Sequence, residues 1–227
     1  CYNRVRLESQ HYRHDPFVPH SMGSDEVLHI AQDSRGNLWV STWGGGLNLL
    51  NRQTGKFTRF IHNQNDLSSI SSNFVQQVFE DHDKRLWVAT YYGGLNLFDP
   101  ETRAFRAVTS DDKQLSHVTG KNFVSICQDA KGDLWFGTDD GGLNRLIKTS
   151  GRFRQYFVSR DKFPDLRVLF IDSHKRLWVG QEGLYIYNEA EDRFLRYEDR
   201  AGLSTEFIKG IVEDGTGMLW ISTSNGI

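Results

Sequence analysis

Five of the six tryptophans stand in the same short phrase, and their spacing limits what the chain can fold into more than any other feature. Trp39, Trp87, Trp135, Trp178 and Trp220 follow one another at intervals of 48, 48, 43 and 42 residues. The phrase reads DSRGNLWVSTWGGGLNL at 33–49, DHDKRLWVATYYGGLNL at 81–97 and DAKGDLWFGTDDGGLNRL at 129–146. Looser copies stand at 172–187 and 214–227. Self-similarity at a period of about 40–50 residues marks a repeat architecture, in which each unit shelters the apolar face of the next.

Each copy divides into four segments with strand character. The first ends just before the aspartate: VLHIAQ, VQQVFE, FVSICQ, LRVLFI and IKGIVE. Apolar residues recur along it, and six residues between turn signals suit a strand better than a helix. A D-x-x-G or D-x-x-K turn follows, in which the aspartate can bond nearby amides and the fourth residue can turn left-handed. The second segment (LWVST, LWVAT, LWFGT, LWVGQ, LWIST) is β-branched and aromatic. A glycine-bearing turn leads to a third strand at GLN or GLY, and a polar turn to a fourth at Phe57–Phe60, Phe105–Val108, Phe153–Tyr156 and Phe194–Tyr197. From each Trp to that Phe the distance is 18, 18, 18 and 16, so the fourth copy has lost two residues, in its second-to-third turn.

Four antiparallel strands per repeat, stacked face to face, make an all-β fold, the β-propeller. Both faces of such a sheet are covered, which explains a second strand that is apolar throughout. Full blades are expected at 27–60, 75–108, 123–156 and 166–197, the end of a blade at 1–13 and the first half of one at 208–227, so 1–227 is a single propeller domain of about five blade-equivalents. Two closures are open: a fragment of a larger, seven-bladed ring, favoured because both ends cut through strands, or a closed five-bladed ring. The repeated Trp then packs between blades. Cys127 aligns with Ala31, Phe79, Phe170 and Val212 and reads as a small core residue.

Composition narrows the function classes. With 38% hydrophobic and 25% charged residues a packed core is feasible, and 13% aromatic with 21 glycines and four prolines suits short strands and tight turns. A net charge of −2 without basic runs leaves no footprint for nucleic acid. No run approaches the roughly 18 apolar residues of a membrane span, so no membrane contact is expected of this segment.

Antiparallel alternation puts the second-to-third turns and the fourth-to-first crossovers at one end, where these turns crowd the mouth of the central channel. There the copies disagree: Trp43; Tyr91 and Tyr92; Asp139 and Asp140; Gln181 and Glu182; Ser224. Positions that agree serve the blade, whereas those that differ can be individual to a ligand. Aromatic rings beside carboxylates and an amide can stack on a sugar and bond its hydroxyls. Taken singly, each also reads as an ordinary exposed turn position. The crossovers at 61–74 and 109–122 add Asn63, Asn65, Ser116 and His117, with weaker support. No nucleophile motif, phosphate loop or metal-ligand spacing is present, and adjacent Asp139 and Asp140 need not converge on one substrate, so no catalytic residue, metal or cofactor is expected.

The words DxxGxLWxGTxxGGLNxxDxxTxxFxxY resemble the two-component regulator propeller repeat across essentially the whole chain. Departures are the shortened fourth copy, Gln181 in place of Thr, and Lys84 and Lys175 at the turn glycine. The resemblance implies an extracytoplasmic, periplasmic sensor region of a membrane-spanning regulator such as a hybrid histidine kinase, non-catalytic in itself. It also implies a small-molecule ligand, an oligosaccharide among the candidates, and a homodimer of the full-length protein. Two other readings stay open: a propeller enzyme of the streptogramin-lyase kind, and a protein-interaction scaffold.

Overall fold

The computed structural model describes residues 2–3, 8–108, 118–157, 166–197 and 207–226; Ser116 and His117 lie outside them. The described residues form strands and turns and contain no helix. A short pair, β1 (Tyr2–Asn3) and β2 (Glu8–Ser9), comes first. The first full sheet is β3 (Val27–Gln32), β4 (Leu38–Thr42), β5 (Leu47–Asn51) and β6 (Lys56–Phe60). The second is β7 (Val75–Glu80), β8 (Leu86–Thr90), β9 (Gly94–Asp99) and β10 (Ala104–Val108). The third is β11 (Phe123–Gln128), β12 (Leu134–Thr138), β13 (Leu143–Ile147) and β14 (Arg152–Tyr156). The fourth is β15 (Val168–Ile171), β16 (Leu177–Gln181), β17 (Gly183–Asn188) and β18 (Arg193–Arg196), and a last pair joins β19 (Ile208–Glu213) to β20 (Leu219–Thr223). Every pairing is antiparallel and sequential within its sheet.

Strands β3, β7, β11, β15 and β19 lie successively against one another, so the first strand of each copy is innermost and the fourth outermost. Trp39, Trp87 and Trp135 each pack into the junction with the next sheet. Trp39 shares a core cluster with Val78, Val88 and Phe105, Trp87 with Phe123, Ile126 and Phe136, and Trp135 with Leu177 and Val179. These indoles are buried, as is Trp178. The series does not close on itself. Ile30 on the first sheet is 58% exposed and Trp220 on the last is 51% exposed, neither face having a neighbour among the described residues. No closed five-bladed ring forms among the described residues.

The repeated aspartate does more than its turn requires. Oδ1 of Asp33 accepts the amides of Arg35 and Asn37, and the fourth turn residue is left-handed even where it is Lys84 or Lys175. Its second oxygen accepts the indole N–H of the repeat's own tryptophan: Trp39–Asp33, Trp87–Asp81, Trp135–Asp129 and Trp220–Asp214 at 2.8 Å, and Trp178–Asp172 at 2.9 Å. A buried indole N–H needs such a partner. The asparagine of GLN has a comparable task. Asn48, Asn96 and Asn144 accept the amides of Gly23, Ser71 and Thr119, each 25 residues upstream, and so hold the crossover against the sheet.

The innermost strands have an unpaired edge, and side chains serve it. The Gln77 amide accepts from Ile126 N at 2.8 Å and donates to Ile126 O at 3.1 Å, standing in for a neighbouring strand. Ser125 Oγ donates to Leu166 O at 2.6 Å from the same register position one sheet on. His29 holds that position in the first sheet, and its Nδ1 is buried without a partner.

Candidate functional site

The second-to-third turns are built alike. Thr42, Thr90 and Thr138 donate their hydroxyls to the carbonyls of Gly46, Gly94 and Gly142 at 2.7–2.8 Å, closing each turn. The next residue points its amide back at the crossover: Trp43 N to Glu26 O, Tyr91 N to Phe74 O, Asp139 N to Asn122 O. The middle glycine is required by close approach, since a Cβ on Gly45 would stand 2.3 Å from the carbonyl carbon of Gly23. Backbone geometry thus puts Trp43, Tyr91 and Asp139 at one register position on three successive sheets.

The three touch. The rings of Trp43 and Tyr91 lie 5.5 Å apart, and the Tyr91 hydroxyl donates to Asp139 Oδ2. Tyr92 packs edge-on against Tyr91 at 4.6 Å, and Phe74 completes the group at 4.7 Å from Trp43 and 5.6 Å from Tyr92. Such edge-to-face contacts suit aromatic quadrupoles. The bond to Asp139, with burial and the carboxylate's charge adding to it, pushes the Tyr91 phenol up to about 12, and the positive charge of Arg167 works the other way. Asp139 Oδ1 is buried and has no hydrogen-bond partner among the described residues.

Tyr92 is 64% exposed and holds φ +70°, at the position where the first sheet has Gly44 at φ +80°. A bulky residue in the left-handed region is an outlier, costing about 1 kcal/mol or more, and such strain clusters at functional sites. The remaining candidates serve differently. Asp140 spends its carboxylate on the amides of Lys121 and Asn122 at 2.9–3.2 Å. Gln181 ends β16 in the position of the turn threonine, and Glu182 forms a β-bridge with Phe207, so neither joins the aromatic group. The Ser224 amide donates to Phe207 O. Asn63 and Asn65 line a separate cavity with Arg59 and Arg103.

Phe74 and Arg167 are the residues that sequence reasoning missed. Phe74 sits on a crossover, outside the varying turn words. Arg167 corresponds to the bulged residues of the other inner strands (Leu28, Gln76, Val124), which its place one residue before Val168 shows once the register is known. A third omission is Arg145, which replaces the leucine found at 49 and 97. It bonds Asp133 at 2.7–2.8 Å and Tyr187 at 2.6 Å, joining the third and fourth sheets through a buried network. Its departure from the repeat was the readable signal.

Chemically the mouth offers two ring faces and a phenol held by a carboxylate. This set suits a ligand with both apolar and hydroxyl surfaces.

A family model described as two component regulator propeller matches residues 21–44, 69–92 and 117–140. No curated protein matches the chain. Among solved structures it is similar to the extracellular domain of BT3049 of B. thetaiotaomicron, described as a hybrid two component system (TM-score 0.78, 23% identity, 93% of this chain and 28% of that one). The extracellular domain of BT4673 from the same organism, described as a one component system, gives a TM-score of 0.74 at 19% identity over 94% of this chain and 30% of that one. Virginiamycin B lyase from Staphylococcus aureus is more distant: TM-score 0.63, 14% identity, 89% of this chain and 68% of that one. These likenesses show the fold, and the chain spans under a third of the first two. Each matched segment runs from crossover to mouth and ends beside Trp43, Tyr91 and Asp139. Three copies thus carry the two component regulator propeller repeat, matched in one phase, the phase on which the sheets are built.

Proposed function

We propose that this chain is a non-catalytic, extracytoplasmic ligand-sensing module of a membrane-bound two-component-type signalling protein, and that it takes an oligosaccharide or other small ligand at the channel mouth. The observation that carries this reading is the strained, exposed Tyr92 packed on Tyr91, whose hydroxyl is tied to Asp139, a carboxylate with one oxygen unpartnered. A sugar ring stacks on Trp43 and Tyr92, with the Tyr91–Asp139 pair beside it. The extracellular domains of similar fold support the location. In the whole protein, a homodimer converts binding into rigid-body rearrangement, and the ligand shifts that equilibrium only by the difference in its affinities for the two states.

Titration calorimetry against a panel of neutral oligosaccharides tests the reading. Saturable binding without turnover, lost in Trp43→Ala, supports it. Product formation in the same cell points instead to a lyase-type enzyme. No response to any small molecule points to a protein-interaction scaffold.

A further inference from the structure

Away from the mouth, a cavity of about 660 Å³ opens on the outer rim between the first and second sheets. That volume lies in the usual range for ligand pockets. Its walls are the outermost strand β6, the crossover after it, and the edge of β10, where Phe105 N donates to Ser68 O at 2.7 Å. Arg59 and Arg103 both line it. The Arg103 guanidinium lies 5.3 Å over the Phe60 ring and makes no ion pair among the described residues. Arg59 donates to the Pro19 carbonyl at 2.7 Å and likewise meets no carboxylate. The one carboxylate in the lining, Asp66, is turned to Ser68, accepting its amide at 2.9 Å and its hydroxyl at 2.6 Å. The lining also includes the side-chain amides of Asn63, Gln64 and Asn65.

A second observation points the same way. Arg103 holds φ +58° at the turn position where the first and third sheets have Gly55 at +69° and Gly151 at +66°, and the fourth has Asp192 at +49°. Glycine is the cheap residue there, so the chain carries strain to put a guanidinium at this rim.

We propose that this cavity binds a hydroxylated carboxylate, the uronate unit of an acidic saccharide being the class that fits. Arg103 and Arg59 face the carboxylate, for which the planar guanidinium fork is matched, and the three amides take hydroxyls. The site is separate from the channel mouth and does not depend on the ligand proposed there.

Titration of the protein with glucuronate, followed by two-dimensional NMR with glucose and acetate as controls, tests the proposal. Saturable shifts around residues 59–66 and Arg103 are expected with glucuronate and are weaker with either control. Arg103→Gly restores the residue of the first and third copies and keeps the fold, as its melting curve will show, yet weakens glucuronate binding by about tenfold or more. Trp43→Ala leaves that binding unchanged. Equal response to glucose, no saturable shift, or full binding by Arg103→Gly overturns the proposal.

Discussion

The wholly buried indole of Trp87 donates to Asp81 Oδ2 at 2.8 Å, six residues back along the chain. The same carboxylate accepts Arg85 N at 2.9 Å and Arg85 Nε at 2.7 Å, and Arg85 stacks over the indole at 5.5 Å. Removing the ring empties the junction between the second and third sheets. Trp87→Ala should lower unfolding stability by about 3–5 kcal/mol. Asp81→Ala, which leaves the indole N–H buried without an acceptor, should lower it by about 1–3 kcal/mol. Urea denaturation followed by far-ultraviolet circular dichroism measures both.

His29 occupies the register position from which Gln77 clasps the neighbouring strand, but offers one unpartnered nitrogen instead. Burial holds its pKa below the ordinary 6.5. A depressed folded value means stability present above 6.5 and lost as pH falls through the folded value. His29→Gln should remove that loss and add about 0.5–1.5 kcal/mol by pairing with the backbone of Val78, the counterpart of Ile126. Unfolding midpoints across pH 5–8 check this; unchanged slopes in the variant would count against it.

Acid should act through the turn aspartates. Burial raises the pKa of Asp33 and of Asp172, but the indole bonds with those from Asn37 and Arg176 outweigh it, and both lie below the usual 3.8. Asp214 is held lower still by Thr216 and Trp220. Their contribution is full above 3.8 and lost as pH falls through the folded values. Stability should therefore fall steeply below about pH 4, with tryptophan fluorescence changing in the same transition. Asp214→Asn should flatten the lower part of that curve.

Tyr92→Gly separates strain from function. It relieves the left-handed φ and should leave stability unchanged or raised by up to about 1 kcal/mol. Ligand affinity at the mouth should drop at least about tenfold, as calorimetry with any saccharide bound by the native chain will show. A variant that binds as before would make Tyr92 an ordinary turn residue.

The frame of this fold was open to reading because the same residues do the same work in every copy. The phase of the tryptophans alone located the strands, the left-handed turn residue and the buried junctions. What stayed hidden were bonds whose partner lies outside the local word. Nothing in LWV told of the indole's bond to the aspartate, and nothing in GLN told that Asn96 reaches back 25 residues to Ser71. The mouth was half legible. Its turns could be named from their variation, but contact between Trp43, Tyr91 and Asp139 depends on sheet-to-sheet spacing. That Asp140 is used up on backbone amides depends on the path of a crossover. Arg103 looked like any polar turn residue until its φ was known.

The indole–carboxylate bond closes inside a single copy, so each copy carries this fastening itself even though its neighbours shelter its faces. A chain built this way can gain or shed a whole unit by duplication or deletion while every other unit keeps its own fastening. The fourth copy shows the smaller version: two residues gone from a turn tip, with Trp178 still bonded to Asp172. Tips are thereby released to diverge one at a time, and novelty in what such a chain recognises can accumulate without loosening the scaffold that presents it.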